Sequence, residues 1–190
     1  MRLVLATHNA HKVREFGRLL PGVELVALPD DVVLPPEYGD TYAANALGKA
    51  RAAAAATGAP AIADDSGVEA AALGGAPGVR SARYAGLAAT DAENLARLRS
   101  EVPAGSGLRY VCAIAHVDPG DSEQVFEGVC EGTMAPVPRG ARGFGYDPVF
   151  LPADDHDGRT MAELEDAEKD RISHRGAAAR ALLAALATSG

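Results

Sequence analysis

Two adjacent carboxylates, Asp64 and Asp65, follow the apolar run Ala61-Ile62-Ala63 and precede Ser66 and Gly67. Carboxylates that share a pocket repel one another and need a cation or a shared proton. A hard divalent ion such as Mg²⁺ suits oxygen ligands and commonly arrives with substrate phosphates. The segment reads as a buried strand delivering both acids to its end, where the backbone turns. Asp-Asp-Ser-Gly also suits a plain polar turn. A second candidate is Thr7-His8-Asn9-Ala10-His11-Lys12. A strand-to-helix connection there offers backbone N–H groups and a helix dipole to phosphate. Lys12 adds a full charge, and Thr7 and Asn9 add side-chain hydrogen bonds. The glycines and spacing of a Walker loop are missing. The third stretch, Gly143-Phe144-Gly145-Tyr146-Asp147-Pro148, can lay an aromatic face against a planar base, or form a tight turn over core aromatics. In the fourth, Ser173 suits an N-cap, which puts His174 and Arg175 in a first helical turn. The dipole there disfavours cations, so the pair points to a ligand. No His/Cys spacing fits zinc, and no Ser-His-Asp order stands out.

Strands must deliver these groups and helices must frame them. Residues 3–6 read as a buried strand, followed by a helix with Val13, Phe16, Leu19 and Leu20 on its apolar side. Residues 23–28 suggest a second strand. Thr41 caps a helix over residues 42–57, closed by Gly58. Asn45 and Lys49 project together from it. Residues 60–64 form the acid-bearing strand, and residues 67–70 continue extended. Arg83 and Tyr84 can serve a ligand or pin the glycine-rich loop before them, and the structural role is favoured. Thr90-Asp91-Ala92-Glu93 and Thr160-Met161-Ala162-Glu163 are capping boxes. Residues 109–117 and 124–134 alternate as an antiparallel pair joined by a turn over 118–123, which includes Asp121. Residues 149–151 form a short strand and 165–171 a solvated charged face. Strands interleaved with helices around an antiparallel pair indicate an α/β fold with a mixed sheet. The net charge of −8 argues against a general nucleic-acid or anionic-membrane binder, while leaving room for a small phosphorylated ligand. No membrane-spanning run is present, and residues 1–6 are too short and too soon polar for a signal peptide. Cys112 and Cys130 read as free buried thiols of a cytoplasmic protein.

The set Thr7-His8-Asn9 with Lys12, Asn45-Ala46 with Lys49-Ala50, Ala63-Asp64-Asp65-Ser66-Gly67, Leu73-Gly74-Gly75-Ala76-Pro77-Gly78, Ser81-Ala82-Arg83-Tyr84, Gly143 through Pro148 and Ser173-His174-Arg175-Gly176 resembles the inosine/xanthosine triphosphate pyrophosphatase family. Order and spacing agree along essentially the whole chain. The resemblance implies one domain over residues 1–190, with an elongated mixed sheet, flanking helices and two lobes around a nucleotide-binding cleft. It implies Mg²⁺-dependent hydrolysis of ITP, dITP and XTP to the monophosphate and pyrophosphate by a homodimer. Asp65 would be the general base and a metal ligand, with Asp64 beside it at the metal. Thr7, His8, Asn9, Ala10, His11 and Lys12 would hold phosphates, and Ser66 would contact substrate. Phe144, Gly145, Tyr146, Asp147, Lys169, His174 and Arg175 would hold the nucleoside. Two positions depart. Ala44 stands where the family carries a metal-binding acid, with Glu37 and Asp40 nearby, so a nucleotide binder with impaired catalysis is the alternative. His8 replaces a small residue of many relatives.

Overall fold

The computed structural model describes residues 1–120 and 122–188; Asp121, expected in a turn, lies outside the described residues. In chain order the elements are β1 (Arg2–Leu5), α1 (Ala10–Leu19), β2 (Glu24–Ala27), α2 (Tyr42–Thr57), β3 (Ala61–Ala70), α3 (Asp91–Glu101), β4 (Gly107–Val117), β5 (Glu123–Met134), β6 (Phe150–Pro152), α4 (Asp166–Ile172) and α5 (His174–Thr188). The strands are hydrogen-bonded in the order β2-β1-β3-β4-β5-β6. β1 is parallel to β2 and to the start of β3, whereas β5 and β6 are antiparallel, so the sheet is mixed as expected. Among the described residues, no helix is long and apolar enough to cross a membrane.

The chain divides into two compact units. The first comprises Met1–Asp65, Cys112–Gly128 and Arg175–Gly190. Here Asn9 starts α1, its Oδ1 accepting from the His11 N–H at 2.8 Å. Phe16 and Leu20 are buried with Leu3, Leu5, Ile62, Ile114 and Leu182. Val13, expected on that apolar side, is instead 45% exposed. Thr41 caps α2 by accepting from the Ala44 N–H at 3.1 Å, and Gly58 closes it at φ +64°. Ala46, Ala50, Ala53 and Ala54 of α2 are buried with Ala61 and Ala63 of β3. Each buried methyl contributes about 0.8 kcal/mol, and larger side chains would force the helix off the strand.

One expectation about β3 changes. Asp64 and Asp65 lie in the middle of a ten-residue strand and not at its end. Side chains alternate along a strand. Ala61 and Ala63 pack with α2, while Ile62 joins the cluster with Phe16 and Leu182. Asp65 therefore continues the face toward α2, and Asp64 continues the face toward α1 and α5. The two carboxylates point to opposite faces of β3 and meet different partners.

The second unit comprises Ser66–Val111 and Val129–His174. Its core joins Val68, Leu98, Leu108, Tyr110, Tyr146, Phe150, Met161 and Leu164. Thr90 and Glu93 form the expected capping box of α3. The second such pattern, Thr160 to Glu163, starts no helix. The Thr160 hydroxyl donates to the Arg139 carbonyl at 2.9 Å, and a single turn closes from the Glu163 N–H to the Thr160 carbonyl. α4 begins later, under a box made by Glu165 and Glu168.

Candidate active site

In the first unit a chain of ionic groups surrounds β3. The Asp64 carboxylate is 1% exposed. Its Oδ1 lies 2.9 Å from the Lys12 ammonium. Its Oδ2 accepts from Arg175 Nε at 3.2 Å and Nη2 at 3.0 Å. Arg175, itself 2% exposed, donates through Nη1 to Glu15 at 2.5 Å. Burial alone would raise the Asp64 carboxyl. Lys12, Arg175 and Lys49 outweigh it and hold the group well below the usual carboxylate range. Cys112 Sγ lies 4.0 Å from Asp64 Oδ2, and burial next to that charge pushes the thiol up to about 12. Both cysteines are free and buried, as expected.

The opposite face of β3 has different chemistry. Asp65 Oδ2 accepts from the Asn45 amide at 2.8 Å. The Asn45 Oδ1 in turn accepts from the Gly39 N–H at 2.8 Å, which fixes the amide's orientation. A Cβ on Gly39 would meet that oxygen at 2.8 Å, so the loop needs glycine there. Burial and the nearby Glu37 charge push the Asp65 carboxyl up, against the lowering effect of Lys49 and Asn45. Lys49 bonds Glu37 and donates to the Asp64 backbone carbonyl at 2.5 Å. Burial would lower its ammonium, yet Asp64 and Glu37 hold it above its ordinary value. A carboxylate raised by burial and a like charge suits a base.

The loop expected to meet phosphate connects β1 to α1, as the sequence suggests. Thr7 Oγ1 accepts from the Asn9 N–H at 3.2 Å, ahead of the first turn of α1. His8, Asn9, Ala10 and His11 are exposed, and Thr7 and Lys12 are half-buried. His11 Nδ1 lies 2.9 Å from Arg14 Nη2.

The second unit gathers most of the expected nucleoside set. Asp147 is buried. Its Oδ1 accepts from the Tyr110 hydroxyl at 3.1 Å. Its Oδ2 accepts from the Phe144 N–H at 3.0 Å and from Lys169 Nζ at 2.7 Å. The Lys169 ammonium sits 5.3 Å from the centre of the half-buried Phe144 ring. Gly143 has φ +71°, and a Cβ there would come within 2.0 Å of Asp147 Oδ2. The Gly145 N–H donates to Asp91 at 2.9 Å. Tyr110 is sandwiched between Phe150 and His174, with centroids 4.1 and 4.6 Å away. Tyr146 is a core residue whose hydroxyl donates to the Ser81 carbonyl at 2.7 Å, so it supports the loop. Ser66 is half-buried in β3. Arg83 and Tyr84 were expected to pin their loop, and the Tyr84 ring lies under Arg97, 4.3 Å from the guanidinium carbon.

The structure thus sorts the expected residues. Arg175 is brought to Asp64 and Glu15, whereas Asp147, Lys169 and His174 belong to the second unit. Glu15, Tyr110 and Asp91 were not singled out as site residues. Glu15 pairs across 160 positions, which leaves no local signal. Tyr110 was legible only as an inward position of an alternating strand, and Asp91 only as a helix-start acid.

The donor chemistry bears on Mg²⁺. Among the described residues, no group of three or more His, Cys, Asp or Glu converges on a metal position. Asp64 is committed to two cations. Asp65, bonded by Asn45, and Glu37, paired with Lys49, are hard oxygen donors of this unit, and the Glu37 charge adds to the raising of the Asp65 carboxyl. One or two carboxylates are what Mg²⁺ uses when phosphates complete its shell. The donor set therefore fits Mg²⁺ delivered with a nucleotide.

A mixed α/β sheet thus carries the Asp65 carboxylate held by Asn45, the Glu37–Lys49 pair and a lysine in the first turn of α1. The pattern of the Ham1 family matches residues 3–185, and the chain belongs to that family. It is 52% identical over 182 residues to a dITP/XTP pyrophosphatase of Symbiobacterium thermophilum, covering 93% of this chain and 90% of the relative. A dITP/XTP pyrophosphatase of Geobacillus kaustophilus is 50% identical over 185 residues, covering 93% and 89%. Among solved structures, a HAM1 protein from Coxiella burnetii superposes with a TM-score of 0.85 at 41% identity, covering 99% of both chains.

Proposed function

We propose that this chain hydrolyses dITP, XTP and ITP between the α and β phosphates, releasing the nucleoside monophosphate and pyrophosphate. One observation carries the reading. In a chain half identical to dITP/XTP pyrophosphatases, the buried Asp65 carboxyl is raised in pKa and aimed by a fixed amide. Asp65 takes a proton from the attacking water, a step worth a typical ~10²–10⁴-fold. Asn45 orients that carboxylate. Lys12, with Thr7, His8, Asn9, Ala10 and His11, binds the phosphates. Asp65 and Glu37 would hold Mg²⁺, which would supply charge withdrawal at the phosphates.

Selectivity falls to the second unit. Hypoxanthine and xanthine carry an oxygen at the six position where adenine has an amine. Phe144 and Gly145 lie against the base, Tyr146 and Asp147 hold their loop, and Lys169 and His174 supply donors toward that oxygen. An unpaired donor against adenine can discriminate by up to ~10⁴–10⁵. Ser66 contacts the substrate. The reading includes one functional domain, a homodimer and a cytoplasmic location, as the family resemblance implies; sedimentation equilibrium tests the dimer.

The test is pyrophosphate release from dITP, XTP, dATP and dTTP in the presence of Mg²⁺. Release favouring dITP and XTP is expected. Equal rates on all four would remove the selectivity, and no release would remove the enzyme. The exposed Ala44, where the family resemblance implies a metal-binding acid, favours a second reading: a binder with weak turnover. Tight binding of dITP without release would select it.

A further inference from the structure

We propose that Asp64 is a positioning residue that holds the Lys12 ammonium in place for phosphate, and is not a ligand of the metal. The proposal rests on the phosphate role given to Lys12 above. Three observations lead to it. Asp64 faces away from Asp65 because the two alternate along β3. Both of its oxygens are engaged, Oδ1 by Lys12 at 2.9 Å and Oδ2 by two nitrogens of Arg175 at 3.0 and 3.2 Å. Arg175 is in turn fixed by Glu15 at 2.5 Å, so the carboxylate that Lys12 meets is anchored from behind.

Lys12 differs from the other members of this chain of charges. Its side chain is 14% exposed, while those of Asp64 and Arg175 are 1% and 2% exposed. An ammonium carries several N–H donors. The ammonium meets Asp64 as an ion pair at 2.9 Å, and Lys12 itself lies in the first turn of α1. A free lysine has a flexible four-carbon stem and loses rotamer freedom when it docks on a ligand. Asp64 makes that loss during folding, before the nucleotide arrives. The work of Asp64 is therefore read in binding of the phosphate chain, and only through Lys12.

The test is a double-mutant cycle on binding, with Asp64→Asn, Lys12→Met and the double variant. Isothermal titration measures the affinity of α,β-methylene-dITP, a non-hydrolysable analogue, and electron paramagnetic resonance measures the affinity of Mn²⁺ without nucleotide. Failure of the unaltered chain to bind the analogue would count against the functional reading itself. With binding established, Asp64→Asn is expected to weaken the analogue about tenfold, the scale of ordering one long side chain. It is expected to leave Mn²⁺ affinity unchanged and to cost nothing further once Lys12 is Met. An equal loss with and without Lys12, or a loss of Mn²⁺ affinity, would overturn the proposal. If Asp64→Asn alone does not fold, Lys12→Met and the charge-balanced double variant decide: equal Mn²⁺ and analogue affinities support positioning, and lower affinities in the double variant refute it.

Discussion

Replacing Arg175 by Met tests whether this residue is an anchor or a base-reading group. The guanidinium is almost fully buried and bonds two buried carboxylates, Asp64 and Glu15. Methionine fills much of the volume but leaves both acids with less positive charge. Breaking a buried pair by removing one partner costs about 3–5 kcal/mol. Lys12 still faces Asp64, which favours the lower end. In a chain of this length 1 kcal/mol moves the melting temperature by about 2–4 °C, so a fall of roughly 6–20 °C is expected. The pH dependence has a definite sign. In the unaltered chain the Asp64 carboxyl lies well below its unfolded value, so its contribution is present above that value and is lost only in strong acid. Without Arg175, burial pushes the same carboxyl up. The variant then takes up a proton earlier as the pH falls, and the gap between the two proteins narrows below about pH 4. Urea unfolding from pH 7 to pH 3, followed by circular dichroism, measures the gap. A loss under about 1 kcal/mol, or a gap independent of pH, would refute the anchor role.

Three further outcomes follow from the same geometry. Asp65→Asn keeps an oxygen for Asn45 but removes a buried charge whose pKa is raised, so pyrophosphate release is expected to fall at least ~10²-fold while the melting temperature rises. Asp65's contribution to stability is present below its unfolded pKa and is lost as pH rises through the folded value. The gain in Asp65→Asn therefore appears at neutral pH and vanishes in acid, and a lowered melting temperature at pH 7.5 would contradict it. Ala44→Glu places a carboxylate in the first turn of α2, one residue before Asn45, and is expected to lower the Mg²⁺ concentration for half-maximal release about tenfold; an unchanged requirement would mean that Asp65 and Glu37 suffice. Tyr110→Phe keeps the stack on Phe150 and His174 but removes the hydrogen bond to Asp147, so the preference for dITP over dATP is expected to fall several-fold, and an unchanged ratio of kcat/KM values would detach Tyr110 from base selection.

Most of the scaffold was legible because its signals are local. Thr41 with Gly58 bracketed α2, Thr90 with Glu93 started α3, and alternation marked β4 and β5. The same kind of signal half failed at Thr160: Glu163 accepts from the Thr160 N–H at 2.7 Å, but the Glu163 N–H goes to the Thr160 carbonyl in a single turn and no helix follows. The site was legible as a set of residues but not as a set of pairs. His174 and Arg175 are neighbours in sequence and read as one cationic turn. In the fold His174 stacks on Tyr110, and Arg175 reaches Asp64 across 111 positions. The helix dipole disfavours Arg175 at the start of α5, which in the sequence pointed to a ligand. The compensation is a pair of buried carboxylates in this chain.

The two aspartates make the same point more sharply. Read along the chain, they are one acidic pair in need of one cation. Read through the period of a strand, they face opposite ways and meet different partners, although Lys12 and Lys49 act on both. On one face Asp64 is surrounded by lysine and arginine and is fixed as a permanent anion. On the other, Asp65 meets an amide and an acid, which leave its proton affinity raised. A single strand can thus hold an anchor and a reactive group one residue apart on opposite faces. This division predicts that the positions do not exchange roles. Charge at residue 64 supports folding and the placement of Lys12, whereas charge at residue 65 costs stability and is retained because proton abstraction requires it.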